Sequence, residues 1–190
     1  MLLSIDNFIN YLIEIIKTIG PIAGLLVVVI ESIIPILPLA AFITLNMIVF
    51  GSFTGFVISW IGTLIGCVIS FYIFRKGFSH KLYKKIKRDS RFSIIMNNIS
   101  AMKITYLALL VALPFTPAFF VNIAAGLSKM PLKKFMIAIT IGKVSMIYFW
   151  GYIGISLIES IKNPLILLEI IVIMLLVYYI SKLIQNKLYK

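Results

Sequence analysis

A chain of 190 residues in which 62% are hydrophobic and 13% charged cannot surround itself with a water-soluble surface, since soluble domains carry roughly 25% charged residues. Its mean hydropathy is +1.11, and several apolar runs reach the roughly 20 residues that a helix needs to cross a hydrocarbon core. The net charge of +12 does not point to nucleic acid, because the cations sit between or beyond apolar blocks, eight of the eighteen Lys and Arg falling between Arg75 and Arg91. That distribution is the mark of cytoplasmic loops of a membrane protein. The expectation is an all-α, multi-pass protein of a cell membrane, and the Ile-, Lys- and Asn-rich composition suggests a bacterial one.

Residues 3–17 place Leu3, Ile5, Phe8, Ile9, Leu12, Ile13 and Ile16 near one helical face, interrupted by Asp6, Asn10, Glu14 and Lys17. This predicts an interfacial amphipathic helix, and the segment lacks the basic start of a signal peptide. Gly20–Pro21 opens an apolar run to Ile34, broken by Pro35 and Pro38, and a second short run, Leu39 to Phe50, ends at Gly51. Ser52 to Phe74 is a full-length span closed by Arg75 and Lys76, where the basic loop 75–91 begins. The order then recurs. Residues 91–103 are amphipathic, with Phe92, Ile95, Ile99 and Met102 on one side. A short run from Ile104 to Leu113 is broken by Pro114 and Pro117, and Ala118 to Leu127 follows. Phe135 to Leu157 is a second span, and an extra span, 164–180, leads into a basic tail.

Each half therefore reads amphipathic helix, half-helix, PxxP, half-helix, span: repeat one over 3–74 and repeat two over 91–157, in a single membrane domain covering 1–190. Proline removes a backbone donor and clashes with a continuing helix, and pieces of roughly ten to fifteen residues are short for a crossing. Two re-entrant hairpins are the economical reading, since irregular backbone at membrane depth must be buried or line a wet cavity. Two long, kinked spanning helices are the alternative. The loop 75–91, the break 129–134 and the tail are all basic and are expected on the cytoplasmic side. The first hairpin then dips in from outside and the second from inside. Inverted repeats with interrupted helices meeting near the midplane mark a transport site.

Glu31, in VVVIESIIPILP, has no cation near it in sequence. A carboxylate at membrane depth usually faces a cavity, a partner or a proton path, so Glu31 is a candidate for substrate binding or proton coupling. Lys143 lies about eight residues into its span, roughly 12 Å deep. It either snorkels back to the headgroups or supplies a cation for a phosphate or for Glu31. Asn46 and Asn122 follow the two PxxP sites, where an amide can bond freed backbone or a headgroup. Gly51, Gly55, Gly62 and Gly66 offer close helix approach. The single Cys67 reads as a packing residue, Trp60 and Trp150 likewise, and His80 as solvated. No HExxH, Ser/His/Asp set or phosphate-cradling glycine loop is present, so neither enzyme chemistry, a cofactor nor a metal is expected.

This constellation resembles the DedA-like, or VTT-domain, family of membrane proteins. The resemblance rests on Glu31 with Pro35 and Pro38, and on the glycine-rich span Gly51 to Gly66 running into Phe71, Tyr72 and Arg75. LPFTPAFFVNIAAGLSKMPLKKF (113–135), containing Pro114, Pro117, Asn122 and Gly126, extends it, as does Gly142 ahead of Trp150, Gly151 and Gly154. It implies paired re-entrant hairpins with flanking helices. It also implies the movement of lipids such as undecaprenyl phosphate or phospholipids between leaflets, often linked to the proton motive force. Many members carry arginine where this chain has Val111, and DedA proper has another at the position of Pro117.

The function expected is a lipid flippase or scramblase acting on a phosphate-bearing lipid. A small-solute or ion carrier and a non-transporting membrane scaffold are the alternatives. The expected partners are membrane lipids with anionic phosphate headgroups and not nucleic acid, with a homo-oligomer left open.

Overall fold

The computed structural model describes residues 11, 14, 17–34, 38–77, 90–116, 118–128, 130–161 and 163–188. Among these it is helical, with no strand. The amphipathic segment expected at 3–17, most of the loop 75–91 with His80, and the prolines Pro35 and Pro117 fall largely or wholly outside the described residues.

In chain order the helices are α1 (Pro21–Ile33), α2 (Leu39–Phe50) and α3 (Ser52–Tyr72), which runs on into a π-turn at Ile73–Gly77. There follow α4 (Ser90–Ala101), α5 (Ile104–Ala112), α6 (Ala118–Leu127), α7 (Leu132–Glu159) and α8 (Pro164–Leu188). Three stretches are long and apolar enough to cross a membrane: Ser52–Lys76, Leu132–Glu159 and Pro164–Asn186. At 1.5 Å per residue α1, α2, α5 and α6 measure only about 20, 18, 14 and 15 Å, against a hydrocarbon core of roughly 30 Å.

Neither proline-bearing segment continues as one helix. α1 stops at Ile33 and α2 begins after Pro38, whose ψ of 103° is extended. α5 stops at Ala112, Leu113 is extended, and a tight turn closes with the Thr116 N–H donating to the Leu113 carbonyl at 3.1 Å. α1 and α2 fold back on each other, since Gly24 near the start of one meets Asn46 and Phe50 of the other. Gly51 then reverses the chain into α3 at φ 82°, ψ 156°, a region open essentially to glycine.

α3 and α7 form a central antiparallel pair. The Trp60 indole donates to the Thr140 carbonyl at 3.1 Å, and eleven residues further along α3 the Phe71 ring stacks on Phe135 at 4.8 Å. Each half-helix pair straddles both. α1 lies on α3 at Gly62 and Gly66, while α2 reaches α7 at Gly151 and Gly154 through Met47 and Thr44. α5 lies on α7 at Gly142, while α6 reaches α3 through Asn122 on Cys67 and Gly126 on the Phe71 carbonyl. These glycines let backbone approach backbone, and van der Waals packing of this kind holds helices together where lipid removes any hydrophobic drive between them.

Three boundaries differ from the sequence expectation. α7 begins at Leu132 and ends at Glu159, outside 135–157, because Lys133 and Lys134 are good helix formers and Pro131 sits where the helix can begin. α3 overruns Phe74 by a π-turn. α8 continues to Leu188, well past 180, because Ser181 and Gln185 face inward and keep the helix docked.

Candidate functional site

The four short helices converge on the middle of the α3–α7 pair. Glu31 lies ten residues into α1, about 15 Å along its axis, and Lys143 lies eleven residues into α7, about 16 Å from that helix's start. The two helices begin at opposite ends of α3, since α1 meets Gly62 and Gly66 while the start of α7 meets Phe71. Both ionisable groups therefore arrive at the same depth, near the centre of the bundle.

They line one cavity of about 620 Å³. Its polar wall consists of Glu31, Ser32, Asn122 and Lys143, with Cys67 between them, and Pro38 and Pro114 bring both helix breaks to it. Phe119, Phe120, Met146 and Trp150 complete the apolar side. Glu31 is 6% and Lys143 2% exposed. Their charges are close enough to interact, yet no direct ion pair joins them. The Lys143 ammonium lies 3.5 Å from the Met146 sulfur. The ammonium thus stays inside the bundle; it does not snorkel. The Ser32 hydroxyl is buried and has no hydrogen-bond partner among the described residues. The Asn122 amide donates only a long contact, 3.5 Å, to the Cys67 sulfur, leaving its carbonyl oxygen for another partner. Among the described residues no cluster of three or more His, Cys, Asp or Glu side chains forms.

Asn46 is placed elsewhere. Its amide donates to the Gly24 carbonyl at 3.2 Å and to the Ser59 hydroxyl at 3.0 Å, tying α2 to α1 and α3 outside the cavity wall. Gly126 lies at the far end of α6, where a Cβ would stand 2.7 Å from the Phe71 carbonyl oxygen; its role is close packing. Pro38 and Pro114 line the cavity, and Pro35 and Pro117 lie outside the described residues. Sequence reasoning missed Ser32, Phe119, Phe120 and Met146, and read Cys67 and Trp150 as packing residues. Met146 and Trp150 follow Lys143 at i+3 and i+7, the spacing of one helical face, so that signal was present.

The VTT domain profile matches residues 34–156, the stretch from the first break to the end of α7. The chain belongs to the VTT-domain family. The uncharacterised membrane protein YhjE of Bacillus subtilis (strain 168) is 30% identical over 173 residues, covering 91% of this chain and 84% of the relative. The uncharacterised protein YqeD of the same organism is 26% identical over 121 residues, 64% of this chain and 58% of that protein. No solved structure matches the chain. Within this VTT-domain protein the family match takes in Lys143, Asn122 and both helix breaks, whereas Glu31 and Ser32 precede it and α8 follows it.

Proposed function

We propose that this protein moves a phosphate-bearing lipid between membrane leaflets, with the headgroup in the cavity and the tails in the bilayer. In this reading α1–α2 and α5–α6 are re-entrant hairpins that enter from opposite faces as an inverted repeat, the first from outside and the second from the cytoplasm. The matched way in which α1 meets α3 and α5 meets α7 supports that symmetry, as do the crossed contacts of α2 with α7 and α6 with α3. Arg75 and Lys134 stand at the open end of the second pair, bonding the Met130 and Ser100 carbonyls, and basic residues favour the cytoplasmic side.

The observation that carries the proposal is that the cavity is open at its rim. Phe120 on its rim is 48% exposed and Pro38 is exposed, on a surface that otherwise shows exposed Ile, Leu and Tyr. A ligand can therefore place a polar head against Lys143, Asn122 and Ser32 without withdrawing its apolar part from the membrane. A buried ammonium without a directly bonded anion suits a phosphate oxygen, with which charge-assisted bonds are strong. Reconstituted vesicles test this. Fluorescent phospholipid, chemically quenched from outside, should become accessible from both leaflets, and Lys143→Ala should slow that exchange. If labelled lipid stays in its leaflet while a small solute crosses, the carrier reading replaces this one. If neither moves, the scaffold reading does.

A further inference from the structure

We propose that α8 is a latch that holds residues 114–116, at the end of α5, against the bundle and thereby keeps this side of the cavity from widening. α8 lies outside the family match and is peripheral: 11% of its apolar window is buried, against 44% for each of the other two spans. It packs mainly along α7, and it also reaches the two residues that follow Pro114. The Tyr178 ring meets Phe115 edge to face at 5.5 Å, and the Gln185 amide donates to the Thr116 hydroxyl at 3.2 Å. Ser181, one turn between them, is 1% exposed, and its hydroxyl has no partner among the described residues.

What α8 grips adjoins the cavity wall. Pro114 lines the cavity, and Phe115 packs at 5.9 Å on Trp150, which also lines it. Among the described residues the turn is closed by the backbone bond from Thr116 to Leu113, and a proline donates none. When α8 tilts away, Phe115 keeps Phe149 and Trp150 but loses Tyr178, residues 114–116 are freer to move outward, and the wall formed by Pro114 and Trp150 loosens.

The latch rests on the transport reading only through the cavity they share, and its test does not require transport. Cys67 is the chain's single cysteine, lines the cavity and is 1% exposed, so its rate of reaction with a small neutral methanethiosulfonate reports opening. Thr116→Val removes the acceptor at nearly constant volume and Thr116→Ser keeps it. Losing one interhelical bond in a membrane shifts the closed–open balance by about threefold, so Thr116→Val and Gln185→Leu should label about threefold faster than the unmodified protein. Thr116→Ser should match the unmodified protein, which separates the bond from any general loosening. Labelling of Thr116→Val at the unmodified rate overturns the latch, whatever lipid transport does. Faster labelling in vesicles where no lipid moves keeps the latch and removes the transport reading.

Discussion

Gly142 is the point at which α5 comes closest to α7, and a single added methyl there has a calculable effect. A Cβ on Gly142 would stand 2.6 Å from the Ala108 carbonyl oxygen and 2.8 Å and 3.0 Å from the Cβ and Cγ1 of Val111. Ordinary contact begins near 3.4 Å, so the α5 backbone must retreat by about 0.8 Å. A helix backbone cannot rotate out of the way as a long side chain can. Overpacking of this kind costs about 1–3 kcal/mol, and 1.4 kcal/mol is a factor of about ten in an equilibrium constant. Gly142→Ala should therefore lower the midpoint of reversible unfolding in mixed micelles. Ile141→Ala, next to it but 59% exposed, should leave that midpoint nearly unchanged. The retreat also carries Pro114 away from Lys143, so cavity-dependent transport should change with it. An unfolding midpoint for Gly142→Ala equal to that of the parent, or above it, would refute the close approach of α5 and α7.

Asn46→Leu loses both amide bonds, each worth about 0.6 kcal/mol in a membrane interior. It should lower the unfolding midpoint while leaving transport per folded molecule intact, and the opposite result would return Asn46 to the site. Lys143→Met keeps an unbranched side chain, one atom shorter, and removes its charge. It should reduce retention of phosphate-bearing lipid through purification about tenfold or more, as read by native mass spectrometry; undiminished retention would rule out a phosphate on Lys143. Glu31→Gln, which preserves shape, should leave the unfolding midpoint in place and abolish the response of transport to an imposed proton gradient. A response equal to that of the parent would show Glu31 to be a bystander. For orientation, Ser79→Cys and Lys190→Cys should both label from the cytoplasmic side and Asn163→Cys from the other, and labelling of Ser79→Cys and Lys190→Cys on opposite sides would overturn the topology.

Much of the architecture is legible because proline and charge act locally. The ends of α1 and α5 follow from the prolines just beyond them, and the spans follow from uninterrupted apolar length. Glu31 and Lys143 stand out because no other charge shares their apolar surroundings, and the structure brings them into one cavity. The placement of Asn46 and Asn122 is not legible. Each sits in a helix apolar on every side, where a 3.6-residue period cannot distinguish a face turned to lipid from one turned to protein. Their fates differ because Gly24 and Ser59 meet one, while Cys67 and the cavity meet the other. The length of α8 is hidden for the converse reason. Ser181 and Gln185 look like the start of a polar tail, and only the Thr116 hydroxyl across from Gln185 gives one of them a reason to stay helical and inward.

The shortness of the half-helices also bears on biogenesis. α1 and α2 leave the ribosome before α3 exists, and neither is long enough to be released into the bilayer as a crossing segment. Their partners on α3 and α7, Gly66 and Gly154 among them, are synthesised later, and those on α7 about a hundred residues later. On the re-entrant arrangement proposed above, the first pair must wait at the membrane surface or inside the insertion machinery until the two long helices have been threaded, and only then fold inward. The second pair waits for α7 alone, because α3 is already in place. Chains arrested before residue 159 should consequently leave the first pair accessible to protease, and completion of α7 should protect it.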